Sequence, residues 1–94
     1  MDLVKVPGKN QRHKVFMYTL STCGWCKLTK DFLKNNEFEY GYVDVDLCSK
    51  EDWEKIRRDI LKRGGSLSFP VIIIDDEVLI NGFNKARLKE ALKI

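Results

Sequence analysis

Two cysteines two residues apart, Cys23-Gly24-Trp25-Cys26, stand at the seam between an apolar run and a stretch with helical periodicity. The run Val15-Phe16-Met17-Tyr18-Thr19-Leu20 is β-branched and aromatic and reads as a strand. Behind the cysteines, Trp25, Leu28, Phe32 and Leu33 recur at helical spacing, with Lys27, Lys30 and Lys34 on the other faces. The seam commits the chain to a strand, a tight turn and a helix, and it puts Cys23 at the helix N-cap. There a sulfur faces unsatisfied backbone N–H groups and the positive end of the helix dipole, which favour a thiolate. Cys26, one turn on, lies beneath it on the same face, within reach of a disulfide. The spacing assigns roles: Cys23 is the nucleophile, Cys26 resolves, and Cys23–Cys26 is the redox-active pair.

Magnitudes show what such a position achieves. A free thiol of pKa about 8.5 is roughly 3% ionised at pH 7, and one lowered to about 6.5 is roughly three-quarters ionised. The gain in attacking species is about 25-fold, of which some 6- to 10-fold is lost again because nucleophilicity falls with pKa. Leaving-group quality and redox poise are the larger effects.

Other uses of the pair fit less well. A structural zinc site usually shows a second close ligand pair, but the remaining candidates are the isolated Cys48 and His13, so no metal site is expected. A purely structural disulfide suits a secreted chain, whereas the polar start here lacks a signal sequence and points to the cytoplasm. With 94 residues, 44% of them apolar and 33% charged, one domain with one modest core is expected. No apolar stretch reaches membrane-spanning length. The net charge is +3, and Lys5, Lys9, Arg12 and Lys14 read as a solvated basic face, because no aromatic platform accompanies them for nucleic acid.

Along the chain, residues 1–13 read as an N-terminal extension with a turn at Pro7-Gly8, followed by one domain over 14–94. Asn35-Asn36 supplies a helix stop, since asparagine tolerates the left-handed conformation. Phe38, Tyr40 and Tyr42 alternate into Val43 and Val45 as a second strand. Ser49 with Asp52 suggests a capped start to a second helix, whose buried stripe is Trp53, Ile56, Ile60 and Leu61 and which ends at Gly64-Gly65. Val71 to Ile74 is an uninterrupted β-branched run, suited to a strand buried on both faces. Asp75-Asp76 turns it back into Val78-Leu79-Ile80, and Leu88, Ala91 and Leu92 mark a last helix. The order βαβαββα predicts an α/β fold in which a four-stranded mixed sheet carries helices on both faces. Cys48 is expected to be a semi-buried small residue, His13 to be solvated, and Asp44 and Asp46 to solvate a strand end.

The element order, the dithiol at the first strand-to-helix junction and Phe69-Pro70 opening the third strand resemble the thioredoxin-like fold and, within it, the glutaredoxin family. The resemblance covers residues 14–94. Tyr18-Thr19 ahead of the dithiol, Pro70-Val71 and Gly82-Phe83 are most similar to NrdH-type redoxins, which reduce ribonucleotide reductase. The resemblance implies a thiol-disulfide oxidoreductase without a bound cofactor, acting as a monomer on a disulfide-containing protein. Its reducing equivalents would come from a reductase protein, such as one like thioredoxin reductase, or from glutathione. It also implies a cis Pro70 beside the dithiol, leaving the Phe69 backbone to pair with an extended substrate segment. Trp25, Phe69, Pro70, Gly82 and Phe83 are the substrate-binding candidates it suggests. Trp25 reads either as a flat recognition surface or as the first core residue of its helix.

Departures from the family pattern bear on substrate. Glutathione-using glutaredoxins typically carry a lysine three residues before the first cysteine, where this chain has Leu20; Lys27 offers a partial replacement. They also tend to carry a double glycine and an acidic residue before the last helix, where this chain has Gly82-Phe83-Asn84-Lys85. Both glutathione anchors are missing, which favours protein disulfides. Two alternatives remain: a glutathione-dependent glutaredoxin, and a [2Fe–2S] carrier using Cys23 from two chains, a use that resembles that of some glutaredoxins with glycine after the first cysteine.

Overall fold

The computed structural model describes residues 2–94. Its strands are β1 (Val4–Val6), β2 (Val15–Thr19), β3 (Tyr40–Asp44), β4 (Val71–Ile74) and β5 (Val78–Asn81). The helices are α1 (Gly24–Asn35), α2 (Lys50–Lys62) and α3 (Lys85–Leu92), with a 3₁₀ turn over Val45–Leu47. The sheet order is β1-β3-β2-β4-β5. β2 and β3 run parallel, joined through α1, and the remaining neighbours are antiparallel.

Period-2 alternation sorts the side chains into two cores. Val15 and Met17 face one side, where they meet Phe32 and Leu33 of α1 and Leu88 and Leu92 of α3. Tyr18 faces the other side, against Ile56 and Ile60 of α2, with Trp53 partly buried beside them; Leu61, expected in that stripe, is exposed because it lies off the face that Ile56 and Ile60 share. β4 serves both: Ile72 and Ile74 join the first core, Val71 and Ile73 the second, and all four are buried. An unbroken β-branched run is what a strand covered on both faces requires.

The α/β architecture with helices on both faces is as expected, but the sheet has five strands, not four. The added edge strand comes from the N-terminal segment, where Val4, Lys5 and Val6 pair with Tyr42, Gly41 and Tyr40. Three residues, of which only Val6 reaches the core, give too short a pattern to announce a strand. Gly8 lets this segment approach: a Cβ there would lie 2.5 Å from the Phe38 carbonyl carbon and the Glu39 nitrogen. Asn10 then donates to the Glu37 carbonyl at 2.8 Å and accepts from the Glu39 N–H at 3.0 Å.

Two further details differ from expectation. The left-handed residue after α1 is Glu37, with φ 61°, while Asn36 closes the helix through its side-chain amide, 2.8 Å from the Phe32 carbonyl. His13 is not solvated: its Nδ1 lies 2.7 Å from Asp75 Oδ2 and its side chain is 14% exposed. Asp75 and Asp76, with φ 55° and 57°, form the β4–β5 turn, and Asp76 pairs with both Lys14 and Arg63.

Candidate active site

β2 ends at Thr19, three loop residues follow, and Cys23 caps α1 in extended backbone geometry with φ −86° and ψ 116°. Its sulfur accepts the Cys26 N–H at 3.2 Å, one of the four donors that a helix start leaves open. The first turn of α1 carries no acidic residue to oppose a negative sulfur. Cys23 is half-buried, whereas Cys26 is 1% exposed, so only the first sulfur is open to an incoming disulfide. Burial chiefly, and then the hydrogen bond to Cys23, push the Cys26 thiol up to about 12. A Leu20 backbone hydrogen bond and the Lys30 charge pull in the opposite direction.

Trp25 is 61% exposed, so of the two readings of its position the core one is excluded. Leu28 is also exposed, and the buried stripe of α1 is Cys26, Thr29, Phe32 and Leu33. The stripe is therefore rotated from the one suggested by the large side chains, and it runs through a fully buried Thr29. That threonine was missed because it is polar; its hydroxyl is satisfied by donating to the Trp25 carbonyl at 2.9 Å.

The other candidates come from across the sheet. The Phe69–Pro70 peptide is cis, Pro70 is buried, and its carbonyl accepts the Gly82 N–H at 2.8 Å. Gly82 has φ 77°, a conformation that glycine adopts without strain. The Phe69 backbone has no hydrogen-bond partner among the described residues. The Phe69 ring packs on Trp53 with centroids 6.3 Å apart, and the Phe83 ring packs on Phe32, also at 6.3 Å. Both rings thus support the site from within, and the exposed aromatic surface belongs to Trp25. Leu20, Val45, Cys48, Trp53 and Phe69 line an apolar groove bordered by Asp46, Ser49 and Lys50. Cys48 is half-buried as expected, its thiol 3.6 Å from the Asp44 carbonyl and pushed upward, chiefly by burial.

Asp44 and Asp46 do not simply solvate a strand end. Thr19 Oγ1 donates to Asp44 at 2.6 Å, and Ser21 donates to Asp46 through both its N–H, at 2.9 Å, and its hydroxyl. These contacts depend on the parallel register that sets Thr19 beside Asp44, which residue spacing along one strand does not reveal.

The glutaredoxin family model matches residues 15–79, most of the chain including the dithiol. The chain belongs to the glutaredoxin family. It is 34% identical over 77 residues to an uncharacterised glutaredoxin-like 8.6 kDa protein of the rubredoxin operon of Clostridium pasteurianum, covering 82% of this chain and 95% of that one. The crystal structure of the glutaredoxin from Methanosarcina mazei superposes with a TM-score of 0.86 at 38% identity, over 98% of this chain and 88% of the other. Methanoredoxin from Methanosarcina acetivorans gives 0.78 at 40% identity, over 86% and 85%. As a glutaredoxin-like redox protein, the chain presents its Cys23–Cys26 pair at the N-terminus of α1, the accessible sulfur above the buried one. Among the described residues, no helix is long and apolar enough to cross a membrane.

Proposed function

We propose that this glutaredoxin is a dithiol protein-disulfide reductase recharged by a reductase protein rather than by glutathione. One observation carries the reading: an accessible N-cap sulfur on Cys23 stands over a buried Cys26 that donates its amide N–H to it. Cys23 attacks one sulfur of a substrate disulfide, forming a mixed disulfide and releasing the first substrate thiolate, which takes up a proton. Cys26 then loses its proton, attacks the Cys23 sulfur and displaces the second thiolate. Two electrons have passed to the substrate, and the protein is left with the Cys23–Cys26 disulfide. No bound cofactor is required. The unpaired Phe69 backbone offers an edge on which an extended substrate segment can pair, with Trp25 as a flat surface beside the sulfur.

The donor preference rests on Leu20 in place of the family lysine and on Phe83-Asn84 where the glycine and acidic residue usually stand. Ribonucleotide reductase is a substrate to test, from the likeness to NrdH-type redoxins.

Insulin-disulfide reduction coupled to glutathione with its reductase, set against thioredoxin reductase, tests the donor. Strong turnover with glutathione alone would overturn this preference. Cys26→Ser should trap mixed disulfides with substrate and Cys23→Ser should abolish turnover; equal residual activity in the two variants contradicts the assigned roles.

A further inference from the structure

The turn that presents Cys23 is held from outside its own strand and helix. Residues 20–22 connect β2 to α1, and within them the one backbone hydrogen bond among the described residues runs from the Cys23 N–H to the Leu20 carbonyl, at 3.2 Å. With one internal backbone bond, the order of the turn depends on contacts from outside it. Asp46 lies opposite, on the 3₁₀ turn that follows β3, and that turn is anchored by Val45, which is buried in the second core. The Asp46 carboxylate accepts both the backbone N–H of Ser21, at 2.9 Å, and the Ser21 hydroxyl. Two residues earlier, Thr19 holds Asp44, the last residue of β3. Leu20, between the two clamped residues, is the residue whose backbone approaches the Cys26 thiol and whose carbonyl receives the Cys23 N–H.

We propose that Asp46 is a positioning residue for the dithiol, fixing through Ser21 the turn that holds the Cys23 sulfur over Cys26. The proposal rests on the dithiol reading above and adds a residue that touches neither sulfur. Closing a disulfide between two thiols on one chain is favoured by the effective concentration of one at the other, which depends on how far the connecting backbone is already ordered. A turn loosened by loss of Asp46 must be ordered when the bond closes, so the oxidised form loses stability relative to the dithiol. Loss of one ordinary hydrogen bond's worth of ordering corresponds to about tenfold in that equilibrium. For a two-electron couple, tenfold is about 30 mV, so the potential becomes less negative by that amount.

The experiment is equilibration of the purified protein in dithiothreitol or glutathione redox buffers, with the reduced fraction read by thiol alkylation. Wild type, Asp46→Ala, Asp46→Asn, Ser21→Ala and the double variant are compared, and thermal unfolding of each is recorded. Asp46→Ala should shift the equilibrium about tenfold toward the dithiol. Asp46→Asn, which keeps an acceptor oxygen, should recover most of the shift. Ser21→Ala, which keeps its N–H, should show a smaller shift, and adding it to Asp46→Ala should change little further. Should Asp46→Ala not fold, the shifts in Asp46→Asn and Ser21→Ala decide. Folded variants whose potentials match wild type overturn the proposal, as does a lowered melting temperature without a shift in potential. A wild-type protein that never forms the Cys23–Cys26 disulfide instead overturns the dithiol reading itself.

Discussion

In the dithiol cycle proposed above, resolution by Cys26 should set the pH dependence, because its thiol is the one buried group that must ionise. Its value is pushed up to about 12. At pH 7 a thiol of that acidity is ionised in about one molecule in 10⁵, against roughly 3% for an ordinary thiol of pKa about 8.5, a deficit of about 3000-fold. With a Brønsted slope of about 0.45, the greater basicity returns about 40-fold of this in nucleophilicity, leaving a net penalty of about 80-fold. An effective molarity on the order of 10⁵ M or more for a well-oriented neighbour offsets that penalty readily. In the mixed disulfide the Cys23 hydrogen bond and charge lapse, but burial, the largest cause, persists and holds the thiol above its ordinary value. Since an acid whose value is raised is short of its ionised form throughout the range below, the resolution rate should climb tenfold per pH unit from 6.5 to 8.5. Stopped-flow reaction of the reduced protein with an aromatic disulfide that releases thionitrobenzoate separates two phases, attack and then resolution. A second phase that levels off below pH 8.5 would refute the reasoning, and so would one that is independent of pH.

Three other perturbations bear on the frame that holds the site. Tyr18 donates to Asp59 at 2.7 Å, and burial first, then that hydrogen bond, raise its phenol above the ordinary 10.0. The fold thus keeps a proton that the unfolded chain releases, so stability is fully present below pH 10 and falls above it by up to about 1.4 kcal/mol per unit. Tyr18→Phe should remove that alkaline slope in denaturant titrations while costing about 1 kcal/mol at neutral pH, and an unchanged slope counts against it. Leu33→Ala, at a fully buried position of α1, should cost about 2 to 5 kcal/mol and lower the calorimetric melting temperature by at least 8 °C; a fall of less than 4 °C would mean that the site collapses around the cavity. Gly8→Ala should free residues 2–13 for proteolysis and expose the β3 amides that face β1 to hydrogen exchange. Protection equal to wild type would mean that the 2.5 Å approach is relieved by a small backbone shift.

Where a single segment carried its own pattern, the sequence was legible. The run Val71–Ile74 announces a strand buried on both faces because four β-branched residues cannot all be accommodated at a half-solvated surface. Ser49 caps α2 as expected, accepting the Asp52 N–H at 3.1 Å, since a cap involves residues only three apart. Cys23 likewise occupies the N-cap that its place after a strand predicts, with Cys26 one turn on and on the same face.

What stayed hidden lies between segments. Asp44 and Asp46 look like polar punctuation at the end of a strand until β2 is set parallel to β3, and only then do Thr19 and Ser21 come within reach of their carboxylates. The β1 edge strand is held by close backbone approach at Gly8 and by two Asn10 hydrogen bonds, none of which leaves a periodic trace. His13 was missed for the same reason, because its partner Asp75 is 62 residues away on the β4–β5 turn. In Trp25 the limit is different. Seven residues before the buried Phe32, Trp25 has nearly the same angular position on α1 and is nevertheless 61% exposed, so helical periodicity does not by itself fix depth at the first turn. An exposed indole two residues from Cys23 lies outside both cores, so under the proposed function its replacement should change substrate capture more than it changes the stability of the fold.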